Sequence, residues 1–148
     1  MRGAVWAEID FKASLWVIPA ERMKTAVEHR GPLSDRAVAI LKGRKQVATG
    51  SVGFGGGVAG RPISDTAMTK ALRLAAGDDA VTLHGLRSSF RDWAGDCTPH
   101  PRDVCEAALA HVIQGVEAAY RRSDALEKRK ALMDDWGLYL GATATKQI

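Results

Sequence analysis

HGLRSSFRDWAGDCTPHPRDVCEAALAHVIQGVEAAY, running from His84 to Tyr120, decides how the rest of the chain is read. His84 and Arg87 stand three apart, so on a helix they project from one face. His111 and Tyr120 stand nine apart, close enough to meet across a short turn and helix. Cations gathered around a hydroxyl nucleophile are what attack on a phosphodiester requires. No carboxylate pair competes with them.

Outward from this stretch the pattern is helical. Thr82 caps a helix from Leu83 to about Ala94, with Leu83, Leu86, Phe90 and Trp93 or Ala94 on its buried side. Leu86 and Phe90 place the surroundings of Arg87 near the core. Pro101 suits the first turn of the next helix, which carries Val104, Ala107, Ala108 and Val112. Gly115 interrupts, Val116 to Arg122 forms a short amphipathic turn, and Ser123 caps a long last helix. Leu126, Arg129, Met133, Trp136 and Leu140 trace that helix's inner stripe, and residues 141–148 are expected to be a disordered, frayed tail.

Upstream, Ser64 caps a helix over Asp65 to Ala76, and Ser34 with Asp35 caps one carrying Ala37, Val38, Ile40, Leu41 and Val47. Glycines at 50, 53, 55, 56 and 57 predict a mobile surface loop between them. A phosphate-cradling loop is disfavoured, because the lysine-serine ending of a P-loop is missing. Alternation over Val5–Phe11 and Leu15–Ile18 predicts two short strands ending at Pro19, and 20–33 reads as a hairpin with a polar tip. The expected fold class is mainly α with a small antiparallel β-sheet at one edge (α+β), a single domain over 1–148.

Composition sets bounds without choosing a function. The chain has 148 residues, 46% hydrophobic and 26% charged, which fits an ordered globular domain. A formal charge of +4 suits a polyanionic partner without requiring one. Cys97 and Cys105 are too few for a disulfide scaffold and point to a reducing compartment. No apolar run spans a membrane and the first ten residues carry acids, so a soluble cytoplasmic protein is expected. Cys97, His100 and Cys105 follow a C-x2-H-x4-C spacing that matches no usual zinc pattern. Neither metal nor cofactor is expected.

HGLR at 84–87, LAHV at 109–112 and AAYRR at 118–122 resemble the catalytic boxes of the tyrosine recombinases, specifically the phage-type integrases. WAEID, IPAERMK, PLSD, PISD and the ending YRRSDALEKRKALMDDWGLYL are similar to the family's text too, so the likeness runs through nearly the whole chain in order. The resemblance implies the integrase catalytic-core fold and site-specific recombination of duplex DNA through a 3′-phosphotyrosine. By it Tyr120 is the nucleophile, Arg87 the second of two oxygen-clamping arginines, and His84 and His111 the box histidines. Lys24 is the general acid for the leaving 5′-oxygen. Self-association as a tetramer on DNA, and nucleoid association when DNA-bound, are implied for the full-length protein.

The likeness breaks at one place. The family's first clamp arginine lies in a G-x-R-x-x-E box nine residues before the tryptophan matching Trp6, and Arg2 is only four before it. The chain is therefore expected to be truncated at its N-terminal edge, without the family's N-terminal DNA-binding domains, and poorly active alone. The alternative is a non-catalytic remnant that keeps DNA or partner binding. Taken singly, His84 can be a capping or packing histidine, His111 a core histidine and Tyr120 a packing residue. Arg22 is a near neighbour of Lys24 that could be mistaken for it, and Tyr139 is a rival tyrosine placed for packing. Arg121, Arg122, Lys128, Arg129 and Lys130 either track phosphates or form a solvated face.

Overall fold

Three hydroxyl caps set the helical frame. Ser34, Ser64 and Thr82 each accept a hydrogen bond from the backbone N–H three residues on, at 3.4, 3.1 and 2.9 Å. Such a cap is worth about 1 kcal/mol against alanine. They open α1 (Asp35–Gln46), α2 (Asp65–Ala76) and α3 (Leu83–Asp96) in the computed structural model, which describes residues 3–58, 60–111 and 125–145. Gly77, in the left-handed conformation, closes α2. Helix α4 (Arg102–Ala108) begins one residue later than Pro101 suggested. The proline is its N-cap and offers its carbonyl to Val104 and Cys105, rather than filling the first helical position. Helix α5 (Leu126–Thr145) is continuous, so the expected frayed tail is helical as far as 145. Propagating a formed helix past one glycine costs only about 1 kcal/mol. Val112, the expected turn 116–122 and the cap at Ser123 lie outside the described residues.

The sheet is three antiparallel strands in the order β1 (Ile9–Asp10), β2 (Leu15–Ile18), β3 (His29–Pro32). Ile9 faces Trp16, and Leu15 to Ile18 pair with Pro32 to His29. The strand expected over Val5–Phe11 shrinks to two residues, because Trp6–Glu8 forms a 3-10 turn closed by Glu8 N–H on the Val5 carbonyl. That turn brings the Glu8 carboxylate inward, where it accepts from Trp16 Nε1 at 3.0 Å and from Arg22 Nη1. Burial alone would raise this carboxyl, but the bonds from Arg22 and Trp16 outweigh it and hold the group below its ordinary range. Arg22 closes a second 3-10 turn, Ala20–Arg22, on the way to the hairpin tip.

Glycine-rich 48–60 is not a free loop. Val5 bridges Val52, Gly53 donates to the Ala4 carbonyl, and Gly55 bridges Pro62, so the segment folds back on itself and on the chain's start. A Cβ on Gly56 would stand 3.0 Å from the Pro62 carbonyl oxygen, which is the close backbone approach the glycine permits.

The core gathers on α3, α4 and α5. Phe90, Trp93 and Ala94 meet Val104, Cys105 and Leu109, and Leu132 fills the centre with Met133 and Trp136 against it. The inner stripe of α5 holds at Arg129, Met133 and Trp136, but Leu132 is its most buried member while Leu140 is exposed. Leu86, Ile40 and Val47 are also exposed, so α1 buries only Val38, and of the two α3 residues expected to set Arg87 near the core Phe90 is buried and Leu86 is not. Tyr139 stacks on Trp136 with ring centroids 5.5 Å apart, a packing role. Among the described residues no helix is long and apolar enough to cross a membrane.

Helix α5 crosses α1 where Gly137 meets Ser34, and a Cβ there would lie 2.9 Å from the serine Cβ and Oγ. Gly137→Ala should therefore destabilise by about 1–2 kcal/mol despite alanine's better helix propensity. Gly43, on α1 with open space around it, is the control. Gly43→Ala should stabilise by about 0.5–1 kcal/mol in the same urea titration. Equal shifts of one sign would refute the close crossing.

Candidate active site

Helix α3 carries His84, Arg87 and Arg91 at spacings of three and four, so they share a face. That face meets the C-terminal end of α4. Arg87 donates from Nη2 to the carbonyl of Leu109, the C-cap of α4, and Arg91 Nε donates to Glu106 Oε1 at 2.9 Å. A guanidinium suits this place, because the last carbonyls of a helix are unsatisfied and sit at its negative end. Arg87 spends one of its five donors there and its side chain stays exposed.

The end of α4 is a two-bond reverse turn. Ala110 N–H bonds to the Ala107 carbonyl, and His111 N–H bonds to the Glu106 carbonyl at 3.0 Å, with Ala110 left-handed at φ 54°. This pairing is the Schellman arrangement, and it normally places glycine where Ala110 stands. The turn brings the His111 ring back onto its own helix, where Nδ1 meets Glu106 Oε2 at 2.5 Å. Glu106 is thus held from two sides, and the His111 and Arg91 bonds keep its carboxyl below the ordinary 4.5.

A hollow of about 260 Å³ opens beside His111. The hairpin supplies Met23, Thr25 and Glu28 through Arg30, α4 and its turn supply Ala107 and Ala110, and α5 supplies Arg129. Arg129 is 2% exposed and donates from Nη1 to the Arg30 carbonyl at 2.6 Å.

The predicted residues divide accordingly. Arg87 and His111 converge on one helix end, and His111 shares a hollow with the hairpin. Lys24 is exposed on that hairpin, between Met23 and Thr25, but does not itself line the hollow. His84 is exposed on the first turn of α3, one turn from Arg87. Tyr120 lies outside the described residues. Sequence reasoning missed Arg91 and Glu106; the available signals were Arg91 four after Arg87 and Glu106 five before His111. Cys105 is buried, which pushes its thiol up, Cys97 is exposed, and His100 pairs with Asp135 at 2.7 Å. Among the described residues no group of three or more histidines, cysteines or carboxylates could hold a metal ion.

The chain is 43% identical over 136 residues to the prophage integrase IntA of Escherichia coli K12, covering 90% of this chain and 33% of that one. It is 32% identical over 166 residues to the integrase of Enterobacteria phage P4, covering all of this chain and 38% of the relative. The prophage integrase IntZ of the same E. coli strain is 30% identical over 132 residues, 88% of this chain and 33% of its own. The chain belongs to the phage and prophage integrases. It spans about a third to two fifths of the length of the curated relatives it matches. No protein-family model matches this integrase chain, and no solved structure matches it.

Two outcomes test the helix end. Ala110→Gly should stabilise by about 0.5–1 kcal/mol in thermal or urea unfolding, because glycine adopts φ 54° without strain; a loss of stability would contradict the left-handed turn. Glu106 has a folded carboxyl below the free value of 4.5, so its stabilisation is complete above that pH and is lost as pH falls through the lower folded value. Glu106→Gln should therefore flatten stability against pH below about 4.5, and an unchanged acid limb would count against the pairing.

Proposed function

We propose that this integrase chain is the catalytic domain of a tyrosine recombinase, with the catalytic-core fold of that family, cutting and rejoining duplex DNA through a 3′-phosphotyrosine at Tyr120. The observation that carries this reading is the meeting of Arg87 and His111 on one helix end, next to the hairpin that bears Lys24. Arg87 clamps non-bridging oxygens of the scissile phosphate, and its planar fork, which never deprotonates, suits two oxygens at once. Cations fixed in advance stabilise the extra charge of the phosphorane without a metal. His111 takes or relays the phenol proton, because tyrosine with a pKa of about 10 is a poor nucleophile until a base removes it. His84 flanks the phosphate, and Lys24 protonates the leaving 5′-oxygen once the hairpin closes on DNA. The covalent link keeps the energy of the phosphodiester, so the strand rejoins another end without ATP.

The partners in this reading are duplex DNA and further copies of the full-length protein, assembled as a tetramer on paired sites. The setting is the cytoplasm, on the nucleoid. The names of the relatives, integrases of phages and prophages, support the substrate class.

Tyr120→Phe decides the mechanism. On a nicked suicide DNA substrate, which traps even slow cleavage, the parent chain should accumulate a covalent adduct that survives denaturing electrophoresis, at the poor rate expected of it alone. The variant should form none while binding DNA within about twofold of the parent, since only a hydroxyl is removed. Adducts that persist in Tyr120→Phe would place the nucleophile on another residue.

A further inference from the structure

His111 is useful to a phenol only if the correct ring nitrogen is free. Its Nδ1 lies 2.5 Å from Glu106 Oε2, and the backbone bond from His111 N–H to the Glu106 carbonyl fixes that approach. Glu106 is itself held by Arg91 across the α3–α4 contact, and its side chain is 18% exposed against 42% for the His111 ring. Its carboxyl carries a negative charge through the neutral range, and a carboxylate can only accept hydrogen bonds.

We infer that Glu106 is the positioning residue of this site, fixing His111 in the Nδ1–H tautomer so that Nε2 is left to exchange a proton, with Arg91 holding Glu106 in place. The inference deepens the recombinase reading and rests on it for the identity of the proton partner. Its geometric content stands apart from that reading. The three side chains form a chain, Arg91 to Glu106 to His111, that the two histidine boxes do not contain. A neutral imidazole has one donor and one acceptor, so occupying Nδ1–H with an acceptor leaves the lone pair on Nε2. Charged and titratable groups reach His111 from each neighbouring element. They are Glu106 on its own helix, Arg87 and Arg91 on α3 at the same helix end, and, around the shared hollow, Glu28, His29 and Arg30 on the hairpin and Arg129 on α5. Of these, Glu106 is the group whose bond to a His111 ring nitrogen the geometry defines.

The tautomer reads the Glu106 bond directly, and the rate of adduct formation separates a positioning role from a merely structural pair. Long-range ¹H–¹⁵N correlation spectra of the 148-residue chain at pH 8, with His111→Gln to assign the ring, should show His111 as the Nδ1–H form. Glu106→Ala should return it to a mixture of both forms, and Arg91→Ala should shift it part of the way. An Nε2–H ring in the parent, or an Nδ1–H ring unchanged in Glu106→Ala, overturns the inference. If the parent chain forms adducts, Glu106→Gln should slow them about ten- to a hundredfold, no more than the lower end of the 10²–10⁴ that the acid–base group itself contributes. DNA affinity should hold. Adduct formation by Glu106→Gln at the full rate would equally overturn the inference. A ring in the Nδ1–H form together with a full-length protein that never forms adducts would sink the recombinase reading and leave the Glu106 assignment standing.

Discussion

The Arg129 side chain joins the two halves of this molecule. It sits on α5, almost wholly buried, and donates to the carbonyl of Arg30, 99 residues earlier on β3. A buried guanidinium without partners would cost several kcal/mol, so the sheet cannot leave α5 without exposing or orphaning it. Helix α5 also packs on α4 and crosses the N-cap of α1. The hairpin carrying Lys24 and the helix end carrying His111 are therefore referred to one rigid element, and the hollow beside His111 is the gap between them. Where that gap sits is a consequence of packing, not of the side chains that line it.

The second constraint is the reversal at the end of α4. A helix that stopped in an ordinary way would direct residue 111 onward into the following segment. Two backbone bonds and a left-handed alanine instead fold it back over Glu106. An alanine there stores about 1 kcal/mol that a glycine would not. The surrounding contacts over-determine it: Leu109 is buried in the core and Arg87 holds its carbonyl. Strain of this size next to a proposed catalytic histidine fits a turn kept for where it puts a ring.

The helices could be read from the chain because their signals are local. Ser34, Ser64 and Thr82 each mark a start that one side-chain bond confirms, and α2 begins and ends where its cap and glycine say. The first strand failed for the opposite reason. Alternation over Val5–Phe11 suits a strand, but Glu8 is drawn into a buried cluster with Trp16 and Arg22, eight and fourteen residues away. The glycine segment failed likewise, since its partners are Ala4 and Val5 and no local pattern names them. In the candidate site, Arg87 and His111 are proposed from their boxes, and the structure brings them to one helix end. Glu106 and Arg91 could not be proposed that way, because neither has a recognisable role until α3 and α4 are laid together.

Arginine at position 87 answers two demands that lysine could not meet together. One donor of the fork closes the negative end of α4 and so helps set the turn that aims His111. The side chain remains exposed on the same face as His84, with further donors on a rigid plane whose orientation the first bond limits. An ammonium bound to the Leu109 carbonyl would be a single point charge, already engaged and free to rotate. In the proposed reaction this difference matters most as charge builds on the phosphate oxygens. Donors already held in position need no reorganisation then, whereas a flexible cation would first have to leave its carbonyl. The contact that stabilises the helix end is thus also what would prepare the proposed clamp, so that fold and proposed chemistry meet in one guanidinium.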